Sequence, residues 1–116
     1  MELLILSLLV IKHFLADFPL QTQEMISNKG KYGNFTGAGH SVIHGLFTCM
    51  VFLYLTPYFF LFGLVDFLLH YHIDWIKMRF GCQDISNKKF WVHLGLDQLA
   101  HYLTYIGMVY AYVLYF

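Results

Sequence analysis

Residues 66–77 read Asp66-Phe-Leu-Leu-His70-Tyr-His72-Ile-Asp74-Trp75-Ile-Lys77. Asp66, His70 and Asp74 recur at every fourth position inside an apolar run from Tyr58 to Met78. Side chains at i and i+4 share one face of a helix, one turn apart. The stretch therefore predicts a helix that is apolar on most sides and carries one narrow polar stripe.

The same spacing appears in three other apolar segments. His13 and Asp17 lie in a segment over 3–18 that ends before Pro19, and His40 and His44 in one over 37–56 that stops at Pro57. His93, Asp97 and His101 lie in a segment over 90–115. With the segment over 58–78, these predict four helices in one all-α, single-domain chain spanning 1–116.

Composition points to lipid as the solvent. Hydrophobic residues make up 59% of the chain, aromatics 20% and charged residues 12%. Soluble domains carry about 45–50% apolar and about 25% charged residues. A span needs about 20 mostly apolar residues, so the first segment is marginal and the others suffice. The expectation is a polytopic inner-membrane protein, four transmembrane helices in an up-down bundle. The start of the chain is apolar like a signal peptide. It lacks a basic leader and a small-residue cleavage site, and is read as the start of a helix.

The polar loops lie at 20–36 and 80–89, and the first has room for a short interfacial helix through Met25. All seven Lys and Arg residues lie on or near that side. By the positive-inside rule both loops face the cytoplasm and both termini lie outside. Net charge is zero with His neutral, which gives no reason to expect a nucleic-acid partner. Cys49 and Cys82 have neither metal nor redox spacing.

Depth brings the polar pairs together. At about 1.5 Å per residue, His13 lies about 9 Å in from Pro19 and His44 about 10 Å in from Gly37; the corresponding depths of His70 and Asp97 are about 13 and about 10 Å. The pairs occupy one slab near the cytoplasmic face. Ionisable side chains are costly in lipid, so they must face the bundle interior. Any one of them alone is explained equally well as a hydrogen-bond partner in helix packing. Together they suit a metal centre built from facing helices.

The candidate ligands are His13, Asp17, His40, His44, His70, Asp74, Asp97 and His101, with Asp17, Asp74 and Asp97 as candidate catalytic groups. Gln21, Lys29, Lys77, Gln98 and Asp66 are candidates for orienting ligands or holding an anionic substrate group. His72 and His93 read as packing partners. Imidazole and carboxylate without thiolate suit one or two divalent ions, Zn, Mn or Fe.

The string His13-Phe-Leu-Ala-Asp17-Phe-Pro-Leu-Gln21, with Lys29, His40 and His44, the 70–77 stretch, and Asp97-Gln98-Leu-Ala-His101, resembles an uncharacterised family of small bacterial and phage inner-membrane proteins, known as a domain of unknown function. The resemblance implies fold and topology and picks out His13, Asp17, Gln21, His40, His44, His70, Asp74, Lys77, Asp97, Gln98 and His101. More loosely, the pattern is similar to membrane-bound metal-dependent hydrolases, which implies hydrolysis. The location of the site points to a lipid-linked or amphipathic phosphate or ester as substrate. A membrane di-iron oxidoreductase and a non-enzymatic polar network for proton or metal handling or partner docking are the alternatives. Gly37, Gly39, Gly45 and Gly107 permit close helix approach and a homo-oligomer.

Overall fold

The computed structural model describes residues 1–116. Five helices form in chain order: α1 Glu2–Asp17, α2 Gln23–Asn28, α3 Phe35–Phe52, α4 Phe59–Phe80 and α5 Lys88–Tyr115. Local chemistry sets most of the boundaries. α1 closes at Phe18, whose amide still donates to the Phe14 carbonyl, because Pro19 has no N–H to continue the ladder. The Thr22 side chain accepts from the Met25 amide at the start of α2, Asn34 accepts from Gly37 at the start of α3, and Asn87 accepts from Lys89 at the start of α5. Lys77 and Arg79 lie in the last turn of α4, where their charge suits the helix dipole.

α1 packs on α3 and α5, and α4 packs on the same two helices from the other side, while α2 lies against α3. The four long helices thus form a ring whose chain neighbours run antiparallel. Each turns a four-residue stripe inward: Ile5, Leu9, His13 and Ala16 on α1; His40, His44, Thr48 and Phe52 on α3; Phe62, Asp66, His70 and Asp74 on α4; Asp97, His101, Tyr105 and Val109 on α5.

The interior is divided along its length. Ile5, Leu9, Phe52, Phe62, Tyr105, Met108 and Val109 form an apolar plug at one end, where the Phe52 and Phe62 rings stack at 4.0 Å. The other half of the interior is polar. Thirteen polar or charged residues are buried, against eight hydrophobic ones. The outer surface is the reverse. Each of the four long helices exposes large apolar side chains, among them Phe14, Leu46, Leu68 and Leu103.

The expected four-span bundle is corrected here. Of the five helices only α4, with 22 residues, is long and apolar enough to cross a membrane. α1 is too short at 16 residues. The glycines, histidines and hydroxyl residues of α3 break its apolar run. α5 loses its run to Lys88, Lys89, His93, Asp97, Gln98 and His101. The residues that build the polar interior are the ones that interrupt the apolar runs.

A close approach of α3 and α4 positions that interior. A Cβ on Gly45 would meet the Gly63 carbonyl oxygen at 2.9 Å, and a Cβ on Gly63 would meet the Gly45 carbonyl at 2.7 Å. Backbones in contact here let the His44 and His70 rings stack at 3.6 Å. Gly45 thus serves the fold within the chain, and α2 packs its Asn28 backbone against Gly37. Gly107 faces open space.

Candidate metal centre

Asp17 sits at the middle of the polar half. Its Oδ1 lies 2.9 Å from His44 Nε2, 3.0 Å from His40 Nε2 and 4.0 Å from His70 Nε2; its Oδ2 lies 2.9 Å from His13 Nε2. Asp74 is the second focus. Its Oδ2 lies 3.2 Å from His70 Nε2 and 3.6 Å from His40 Nε2, and its Oδ1 3.1 Å from His101 Nε2. His101 Nε2 also reaches Asp97 Oδ1 at 3.4 Å.

The lysines partition the carboxylates. Lys12 Nζ pairs with Asp66 Oδ2 at 2.6 Å, Lys29 with Asp74 Oδ2 at 3.1 Å and Lys77 with Asp97 Oδ2 at 3.3 Å. Asp17 alone among these four carboxylates has no lysine. The imidazoles of His13, His40 and His44 flank it instead, so its counter-charge is either a protonated imidazole of the cluster or a bound cation.

Donor and acceptor roles sort the histidines. Lys12 Nζ lies 3.1 Å from His44 Nδ1. An ammonium only donates, so Nδ1 accepts and the neutral ring carries its proton on Nε2, directed at Asp17. His13 Nε2 faces the acceptors Asp17 Oδ2 and Gln98 Oε1, the latter at 2.9 Å, so it too donates. Its Nδ1 then accepts from the Tyr105 hydroxyl at 2.7 Å. His101 Nε2 donates to Asp74 Oδ1 at 3.1 Å, with Asp97 Oδ1 at 3.4 Å but off the hydrogen-bonding direction.

His40 and His70 differ. Both nitrogens of both rings are buried and have no hydrogen-bond partner, and Asp74 Oδ2, although 3.1 Å from the Lys29 ammonium, has no aligned hydrogen bond. The Nε2 atoms lie near carboxylate oxygens but off the hydrogen-bonding direction. Buried polar atoms without partners are rare and call for an explanation. A shared cation is one that fits these donor types. Two groups have ligand atoms mutually within 4.8 Å: Asp17, His40, His44 and His70, and His70, Asp74 and His101. The structure therefore holds His and Asp groups able to bind a metal. His44 Nε2 lies within the same distance, but its proton removes the lone pair a metal needs.

The remaining candidates surround this centre. Gln98 Nε2 donates to Asp97 Oδ2 at 3.1 Å. Gln21 Nε2 donates to the Asp17 carbonyl at 2.7 Å, leaving its buried Oε1 without a partner. Asp66 lies deeper, held by Lys12 and by the Thr48 hydroxyl at 2.5 Å. His72 is outside the cluster and contacts the Tyr32 hydroxyl, while His93 Nδ1 accepts from the Cys82 amide at the α4–α5 loop. In that loop the Ser86 hydroxyl and amide donate to Asp84 and hold its carboxyl below the usual carboxylate range.

Sequence reasoning missed Lys12, Thr48 and Tyr105 as parts of the cluster. Thr48 is four residues after His44, and Tyr105 four after His101, so continuing the spacing by one turn finds both. Lys12 carries a different signal: a charge in the middle of an apolar helix, next to His13.

A helical bundle whose interior is a lysine-buffered His/Asp cluster able to hold a metal is the class that fold and site define. The chain belongs to the DUF3307 family, described as a protein of unknown function, whose model matches residues 5–116. No curated protein and no solved structure matches it, so the expected similarity to membrane-bound hydrolases is not found.

Proposed function

We propose that the chain is a metal-dependent hydrolase of the inner (cytoplasmic) membrane, acting on a lipid-linked or amphipathic phosphate or ester. In this reading α4 crosses the membrane and the basic end, with Lys29, Lys77, Arg79, Lys88 and Lys89, faces the cytoplasm. The apolar outer surface and the positive-inside rule support that placement.

One observation carries the metal: Asp17 Oδ1, His40 Nε2, Asp74 Oδ2 and His70 Nε2 form a closed circuit with edges of 3.0, 3.6, 3.2 and 4.0 Å. We assign these four residues as the set that would hold divalent metal, Zn, Mn or Fe, with Asp17, His40 and His70 in one group of donor atoms mutually within 4.8 Å and His70 and Asp74 in the other. Such an ion would supply Lewis-acid activation of water.

The chain's own groups provide the rest. Asp97 has a buried Oδ1 without a hydrogen-bond partner and lines an open groove, so it can take a proton from water entering there. His101 Nε2 lies between the two carboxylates and its N–H holds Asp74 in place. His13 and His44 hold Asp17 by donated hydrogen bonds, which keeps its Oδ1 aimed at the other three ligands.

Elemental analysis of purified protein tests this reading. About one equivalent of divalent metal is expected, and its loss from Asp17→Asn/Asp74→Asn. The Asp97→Asn variant should keep the metal and lose hydrolysis of a chromogenic phosphate or ester by roughly 10²–10⁴-fold. Folded protein without metal overturns the assignment in favour of a polar network.

A further inference from the structure

Two cavities meet beside the cluster. One, of about 190 Å³ at the basic end, is lined by Gln21, Lys29, Lys77, Gln83 and His93 among others. The other, of about 360 Å³, is a groove between α4 and α5 lined by Ile73, Ile76, Leu96 and Ala100, with Lys77, His93 and Asp97 at its edge. Lys77 and His93 line both. The first cavity thus carries cationic groups beside apolar ones such as Ile26, Met78 and Phe90, the second is mainly apolar, and the two are adjacent.

The seam runs further. A third cavity, of about 400 Å³ and lined almost wholly by apolar groups such as Leu61, Val65, Leu69 and Ala111, lies between the same two helices. Leu69 and Ile73 on α4, and Ala100 and Thr104 on α5, are each one turn apart. From Lys77 to Leu61 the seam is about 24 Å long at about 1.5 Å per residue. Apart from its basic mouth and Asp97 beside it, it offers little to a polar ligand, and that mouth opens next to the metal ligands.

We propose that this seam binds a phosphate monoester carrying one long hydrocarbon chain, with the phosphate between Lys29 and Lys77 and the chain along the α4–α5 groove. Charge complementarity selects the headgroup. Lys29 and Lys77 each contact a carboxylate of the cluster, Asp74 and Asp97, so an anion held by both ammonium groups sits at the rim of the proposed reaction centre. Gln21 Oε1, buried and without a partner, faces the same part of the structure and can accept from a phosphate hydroxyl. A monoester presents more negative charge than a diester or carboxylic ester and uses both lysines. Hydrocarbon burial supplies affinity in proportion to the chain length accommodated. The inference deepens the hydrolase reading above and rests on it for the fate of the ligand, while the binding is separable from turnover.

Calorimetric titration of the whole chain in zwitterionic lipid nanodiscs, with metal content measured on the same sample, tests the inference. The probes are inorganic phosphate, decyl phosphate and decanol. Decyl phosphate should bind at least tenfold more tightly than inorganic phosphate, and decanol not measurably. Ala100→Trp, which fills the groove, should erase the gain from the chain and leave inorganic phosphate unaffected. Lys77→Gln should weaken both phosphates, and Lys77→Arg should restore them. Equal binding of the two phosphates, or an Ala100→Trp protein that keeps the chain's gain, overturns the seam. Unweakened phosphate binding in Lys77→Gln overturns the headgroup site. Decyl phosphate bound as expected by protein that never hydrolyses it upholds the seam and overturns the hydrolase reading alone.

Discussion

Lys12 shows how the interior is organised around single residues. It is buried in mid-helix, pairs with Asp66, contacts His44 Nδ1 and lies 4.6 Å from the centre of the Tyr105 ring. Its ammonium neutralises one carboxylate and fixes the proton of one imidazole. Lys12→Met leaves Asp66 buried with only a threonine hydroxyl, and breaking a buried pair in this way costs about 3–5 kcal/mol. The Lys12→Met/Asp66→Leu pair should recover most of that loss, seen as thermal unfolding by circular dichroism. Nitrogen NMR of the histidines should show His44 protonated at Nε2 in the wild type, and that preference should weaken in Lys12→Met; an unchanged tautomer would refute the role given to Lys12. The His/Asp members of the cluster were legible because a one-turn spacing recurs in every segment. Lys12 was not. Its positive charge reads first as an orientation signal, and only the fold shows that it turns inward.

At the scale of elements, the contact of α3 with α4 decides whether the cluster forms. Gly45 and Gly63 let the two backbones touch, and the ring of His44, beside Gly45, stacks on that of His70, two turns after Gly63. A larger side chain at Gly63 must displace the Gly45 carbonyl and Cys49. Overpacking of this kind costs about 1–3 kcal/mol, less than the stability of most domains, so helicity should survive. Gly63→Val should therefore keep its helical circular dichroism while its metal content falls by more than half. Wild-type metal content in that variant would show that the α3–α4 spacing does not control the ligands. The helix positions were legible to within a few residues from apolar runs, prolines and caps. The spanning character of those helices was misjudged because composition was averaged over the chain. Apolar residues concentrate on the outer faces, while polar stripes interrupt every helix except α4 enough to break its run.

The whole molecule reverses the usual arrangement, with charge inside and apolar side chains outside. In water such a surface is a liability, since exposed apolar patches of more than a few hundred Å² mark an interaction site. In lipid it is the expected exterior, while the buried lysine–aspartate pairs keep the inside nearly neutral. On the proposed membrane placement the basic end would face the cytoplasm, because cytoplasmic segments carry the excess of Lys and Arg. Cys82 offers a test of this placement. It lies in the loop between α4 and α5 at the basic end, while Cys49 lies within α3 and can be replaced by Ala. The protein should remain in the membrane pellet after alkaline carbonate extraction. A membrane-impermeant maleimide should label Cys82 in inverted inner-membrane vesicles and leave it unlabelled in intact spheroplasts. Labelling in spheroplasts would reverse the orientation and put the mouth of the seam on the outer face. Release by carbonate would remove the membrane and leave the apolar exterior to be covered by another protein surface.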